Sequence, residues 1–393
     1  MLFTVIFSVS ICNTKLVYMF EYFKIKITYY SRLKYLFFGF LFSLLLFVGK
    51  SHAQTVLTVS INPKIPAQYD DIFTAIEAAS AGDILYVHPA KENYDGEDSI
   101  VITKPLTIIG GSYFNDKYTY GGEITKFNKI RIKAGAGQVK IANIFTNRIT
   151  LQAEESTTFN KVSLEYIYSE RIDFEAINNT FLSEELKIIN SITPLIFFND
   201  WIDINKEANI NIENNILGQI ANGGGVNLLI RNNLFNPAIF GKIALANVYN
   251  ATIANNIFYG YSGENAIGTN TTDFCIYDRN LSYQTYDSFS GGIDNIFGAN
   301  NFQNKNPSFE SVSGNWDALN KIVNSNFTLK SGSPAIGSGT EGTDIGITGG
   351  AHPFNPLIRY GHPHVQSIKV NNPVLGVDDT LKFTIKGIYP TQN

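Results

Sequence analysis

Five short segments of this chain repeat one design, an asparagine set between apolar residues. They are KIANIF (Lys140–Phe145), AINNTF (Ala176–Phe181), IENNIL (Ile212–Leu217), IRNNLF (Ile230–Phe235) and IANNIF (Ile253–Phe258). Weaker copies are TFNKVSL (Thr158–Leu164), KIINSI (Lys187–Ile192) and YDRNLS (Tyr277–Ser282). Asn143, Asn160, Asn178, Asn214, Asn232 and Asn255 follow one another at 17, 18, 36, 18 and 23 residues. Because 36 is twice 18, the repeat is one of about 18–25 residues. That period is wrong for an array of sandwich hairpins and right for a solenoid, in which each turn is one coil of two or three short strands. Successive coils then stack at the strand spacing of about 4.8 Å. Equivalent side chains lie above one another, apolar ones inward. Asparagine tolerates the left-handed backbone of a tight corner, and its amide can bond to the next amide in a column. The six asparagines are therefore expected to form a structural ladder at one corner; the alternative is that they only mark loops.

The composition agrees. Only 16% of the 393 residues are charged and 44% are hydrophobic, with many β-branched and aromatic side chains, which favours strands. Arg32 and Lys34 precede 14 uncharged, mostly apolar residues, Tyr35 to Val48, and then Ser51-His52-Ala53. The pattern predicts an export signal over residues 1–53, cleaved near Ala53, with an uncleaved anchor as the alternative. Met19 stands closer to this signal than Met1 and is an alternative start. The apolar run is short for a membrane span, which needs about 20 residues, so none is expected in the mature chain. Removing the signal takes six of the 30 basic and one of the 34 acidic residues, which leaves the remainder at −9. An acidic exported chain is a poor nucleic-acid ligand. Cys275 is then alone, and no internal disulfide is expected.

The folded part opens with a strand at Thr55–Ile61 and a helix over Ile72–Ala81. Ile72, Ala75, Ile76 and Ala79 form its apolar stripe, Asp70 or Asp71 its cap, and Gly82 its left-handed end. Standing before the strand Ile84–Val87, this helix is expected to cover the open end of the first coil.

The segment FTAIEAASAGDILYVHPAKENYDGEDSIVITKPLTIIGG (Phe73–Gly111) resembles the N-terminal cap and first coils of secreted bacterial right-handed parallel β-helix proteins of the pectin-lyase-like superfamily. The matching residues are Ala75-Ile76, Gly82-Asp83, Tyr94 and Lys104-Pro105-Leu106. The segment Asn306–Gly350 is similar to their closing coils, through Leu329, Gly332-Ser333-Pro334-Ala335-Ile336, Gly339 and Asp344-Ile345-Gly346. The expected fold is all-β: a right-handed parallel β-helix over 54–350 with an N-terminal capping helix. A short C-terminal β extension follows over 351–393. There His362–Gly387 alternates apolar and polar residues on both sides of Asp378-Asp379, a hairpin signal.

The resemblance implies cleavage or epimerisation of acidic polysaccharides, by a Lys or Arg base with a cation on the carboxylate, or by an Asp cluster. No paired-Asp motif or Arg-rich lyase signature is present. None of the five histidines, His52, His88, His352, His362 and His364, lies between Pro89 and Ala351. No histidine base is therefore expected in the solenoid body. The last three form either a metal cluster or an exposed loop. Asp200, Trp201 and Asp203, with Glu207 and Glu213, are candidates for carbohydrate binding. Trp201 would be a stacking platform beside a Ca²⁺ site; otherwise the stretch is a solvated strand face. Arg231, Lys242 and Arg279 are scattered basic candidates. Arg231, Asp278 and Arg279 are retained as catalytic candidates, Asp278 being the carboxylate beside Arg279. NGGG (Asn222–Gly225) lacks the Lys-Ser/Thr of a phosphate loop and is expected at a corner. No motif requires a cofactor. The expected role is binding or adhesion at a polysaccharide or other cell-surface glycan, with a lyase or hydrolase acting on acidic glycans as the alternative.

Overall fold

The computed structural model describes residues 54–354 apart from 115–122, 178–180, 200–207, 237–242, 261–265, 286–288, 313–321 and 323–324, together with the strands 364–370 and 383–388. All of these belong to one compact unit, Gln54–Asn393. The expected export signal and Asn178 fall outside the described residues.

The backbone is a parallel β-solenoid of about 9 turns. Among the described residues the chain alternates between a 12-stranded sheet, Val56–Val59 to Ile296–Phe297, and a 10-stranded sheet, Ser99–Ile102 to Leu281–Tyr283. Register is kept from rung to rung. In the larger sheet Ile141, Leu164, Ile188, Ile212, Ile230, Ile253 and Tyr277 form one column. In the other, Ile130, Ile149, Ile172, Ile196 and Ile220 form another. Both columns are buried in the same core. Each such side chain contributes roughly 1.5–3 kcal/mol by leaving water. Alternate residues of every strand point the other way, so each sheet presents an outer face built of columns at strand spacing.

The corner between the sheets explains the Asn-Asn pairs. The first residue of the pairs Asn214-Asn215, Asn232-Asn233 and Asn255-Asn256 has the left-handed backbone (φ 54°, 54° and 57°), as does Asn190 (50°) before Ser191. Asn143, Tyr166 and Arg279 share that conformation, at 56°, 52° and 54°. The second residue forms the amide ladder. Asn233 Nδ2 donates to Asn256 Oδ1 (3.0 Å) and to Ile212 O (2.8 Å), while its own Oδ1 accepts from Asn215 N and Nδ2, both at 3.0 Å. The same pattern links Asn256 to Asn280 and Asn280 to Asn301. At the other end Ser191 N donates to Asn215 Oδ1. The ladder is thus Asn215, Asn233, Asn256, Asn280 and Asn301, one residue later than expected for the NN pairs. Asn160 is no part of it. It is exposed on the strand Thr158–Glu165, away from the corner. In the earlier turns Ile144 and Ile167 occupy the second position and join the apolar core instead.

The helix is shorter than expected, Ile72–Ala78, capped by Asp71, whose carboxylate accepts from Thr74 N (2.6 Å). It ends because Ala79 is already extended (ψ 139°), before Gly82 is reached. Asp83 takes over the backbone there, accepting from Ser80 N and Thr55 N. Lys104 Nζ donates to the carbonyls of Glu77 and Ala79. Gly82 (φ 92°) shapes the following turn. The helix buries Ile72 and Ala75 in the core. It follows Val56–Val59, which pairs with Ile84–Val87, so the latter is the second rung of its sheet and not the first.

The segment expected to close the stack instead runs back along its side. Phe309–Ser311 pairs antiparallel with Asn326–Leu329, outside both large sheets. From Ser338 to Gly349 the chain then follows the left-handed corner column in reverse. Arg279 donates to Ser338 O, Asn255 to Thr340 Oγ1, Asn232 to Asp344 O and Gly346 O, and Asn214 to Ile347 O and Gly349 O. This strap covers a stripe of Ile192, Ile216, Leu234, Ile257 and Leu281 with Ala335, Ile345, Ile347 and Phe354. Gly346 (φ 89°) lies so close to Ile257 that a Cβ would sit 2.4 Å from its Cδ1. Beyond the strap, His364–Val370 pairs antiparallel with Phe383–Ile388.

Replacing Asn233 by Ala leaves Asn215 N and Ile212 O buried without those partners. We expect a loss of about 2–4 kcal/mol in urea unfolding. Asn160→Ala, at an exposed position, stays within about 0.5 kcal/mol of the parent.

Candidate functional site

The outer face of the 12-stranded sheet carries a cleft of about 340 Å³. Lys140, Ser163 and Lys187 are direct register partners on three successive rungs, so their side chains form one vertical column. Lys161 lies two residues before Ser163 on the same strand and the same face, and Glu165 two residues after it. Lys140 pairs with Glu165 at 2.8 Å, and Ser163 Oγ donates to the same carboxylate at 2.6 Å. Glu185 bridges Lys187 and Lys161, the latter at 3.2 Å. The hydrogen bond from Lys187 holds the Glu185 carboxyl below its usual range, and Lys161 adds to the effect. The cleft lining itself carries Lys140, Lys161 and Lys187 against Glu165, and with Glu184 and Glu185 of the adjoining groove the two together are neutral.

The cleft shares Gln138 and Lys161 with an open groove of about 870 Å³ that also takes in Asn160, Glu184, Asn209 and Asn211. Its amides can donate to and accept from hydroxyl groups along a polymer, while the lysines beside them meet negative charge.

One wall of the cleft is His352, brought there by the chain that follows the strap. Its Nδ1 is buried without a hydrogen-bond partner. The absence of histidine from Pro89 to Ala351 therefore does not keep histidine off the solenoid body. Folding back of the chain delivers one from outside that interval. His362 lies outside the described residues. Among the described residues no group of three or more His, Cys, Asp or Glu side chains is placed to hold a metal ion.

The other sequence candidates fall elsewhere. Asp200, Trp201, Asp203, Glu207 and Lys242 lie outside the described residues, and with them the Ca²⁺ site considered there. Glu213 is buried and paired with Arg231 at 3.0 Å. Arg231 ends its strand, whereas Arg279 occupies the left-handed corner itself, so the two are not equivalent in the coil. Arg279 pairs with Asp278 at 3.4 Å and holds the strap. These three residues serve the corner and are not gathered into the cleft.

The cleft lysines were within reach of the repeat. Lys140 and Lys187 both stand three residues before a left-handed asparagine, Asn143 and Asn190, and so share a column. Ser163 stands three before Tyr166, where no asparagine flags the corner.

No family model matches the chain, and no curated protein matches it either. Among the described residues no helix is long and apolar enough to cross a membrane.

Glu185→Gln removes one negative charge from the groove beside the cleft. At pH 7 we expect about fivefold tighter binding of dextran sulfate, measured by fluorescence anisotropy, and weaker binding for Lys187→Gln. The sulfates stay ionised in acid. The parent protein's affinity therefore rises as pH falls through the lowered pKa of Glu185, below the usual 4.5, and the glutamine variant rises less.

Proposed function

We propose that this chain is an exported β-helix protein of the pectin-lyase-like kind that its terminal motifs resemble, and that it binds acidic polysaccharide at or outside the cell surface. The observation that carries the reading is the Lys140–Ser163–Lys187 column beside an amide-lined groove. A linear glycan with carboxylate or sulfate groups meets cations in the cleft and hydrogen-bonding amides along the groove. The basic N-terminal segment with its apolar run and small residues before Gln54 supports export.

One observation favours a lyase or hydrolase as the second reading. His352 stands at the edge of the lysine cleft, where a proton acceptor for a bound sugar would be needed.

Incubation of the mature protein with polygalacturonate, alginate and neutral dextran separates the two. The binding reading expects retention of the uronate polymers, at least about tenfold weaker binding in Lys140→Gln/Lys187→Gln, and no rise in the absorbance of unsaturated ends or in reducing ends. Turnover lost in His352→Ala establishes the enzyme instead. Equal retention of neutral dextran sinks the acidic-glycan assignment.

A further inference from the structure

The 10-stranded sheet carries a second cationic surface on its own outer face. Lys129, Arg148 and Arg171 are register partners on three successive rungs, and Arg131 stands two residues beyond Lys129 on the same face. Spacing along the column is the strand spacing, about 4.8 Å. The row is organised from below. Asp173, fully buried, accepts from Nε of both Arg148 and Arg171, and Arg171 also lies over the Phe197 ring at 4.5 Å. These contacts hold the guanidinium groups in place while the two side chains stay 41% and 37% exposed. Lys129 is exposed and forms no ion pair among the described residues, and Arg131 Nε is buried without a hydrogen-bond partner. Arg148 and Arg171 touch the carboxylates of Asp173 and Glu175, and Asp95 accepts from the Lys129 backbone N, so four cations stand beside three carboxylates.

A row of side chains repeating at strand spacing suits a ligand that repeats its own charge, one group per sugar. Preorganised arginines favour planar carboxylates or sulfates over isolated ions. The inward-facing residues of both sheets meet in one core, so this row and the lysine cleft occupy different outer surfaces of the solenoid. We propose that the Lys129–Arg131–Arg148–Arg171 row is a second binding site for a linear anionic polysaccharide, independent of the cleft, so that one molecule holds two glycan segments at once. The glycan class rests on the reading of the cleft given above; the site itself rests on the row alone.

Isothermal titration of the mature protein with a short oligogalacturonate, long enough to span three rungs, tests it. Two equivalents are expected. Lys129→Gln/Arg131→Gln removes one or weakens it about tenfold, and Lys140→Gln/Lys187→Gln acts on the other. The single variant Lys129→Gln, at an exposed position, weakens the same equivalent and guards against misfolding of the double variant. If the parent binds one equivalent that only the cleft variant loses, the second site is overturned and the cleft stands. One equivalent lost only in the row variant upholds the row and overturns the cleft. No binding at all overturns both. Tighter binding of single-stranded DNA of equal charge at the row overturns its assignment to a glycan.

Discussion

The corner between the two sheets rests on a pair of residues with separate tasks. The first bends the backbone into the left-handed region, where asparagine costs less than other side chains with a Cβ. The second turns inward, and its amide replaces the hydrogen bonds that the bent backbone cannot make with its neighbours. Each ladder asparagine of the central rungs uses both amide hydrogens, one toward the next ladder residue and one toward a carbonyl of the preceding strand. Its oxygen accepts twice from the rung before. A buried amide so satisfied stabilises the stack; the same amide with one partner missing destabilises it. From Asn215 to Asn301 the ladder reinforces the stacking register; in the earlier turns, where Ile144 and Ile167 stand at that position, strand pairing alone keeps the apolar columns aligned.

The left-handed residues have a further consequence. Their side chains point away from the core and present a line of amides along the outside of the corner. Asn214, Asn232 and Asn255 use this line to bind the returning strap through its backbone. The strap in turn covers the apolar stripe left by Ile192, Ile216, Leu234 and Ile257. His352 reaches the lysine cleft because the strap ends there. Architecture and candidate site are thus linked through one column of asparagines.

Much of this was legible in the chain. The repeat period, the inward Ile column and the corner at the NN pairs follow from spacing alone, because a solenoid translates one residue position into one column. The displacement of the ladder from Asn214 to Asn215, and from Asn232 to Asn233, was not. Two adjacent asparagines look alike in sequence, and only the backbone angle separates the one that bends from the one that turns inward. Asn160 misled for a similar reason. It satisfies the local pattern, but the corner of its coil is made by Tyr166, which has no amide to announce it.

The sequence by itself determined the class of architecture, the period of the coil and the residues that form its core, because these depend on short-range periodicity repeated many times. It also placed Lys140 and Lys187 at one position of the repeat. The tertiary structure alone decided that Ser338–Gly349 runs back along the corner and does not close the stack. It alone brought His352 to a cleft whose lysines lie more than 150 residues earlier in the chain. It also aligned Lys129, Arg148 and Arg171 in one column and set the two arginines over one buried carboxylate. Contacts of that kind occur once, between segments that share no period, and are set by which apolar stripe remains to be covered and which buried charge remains to be paired.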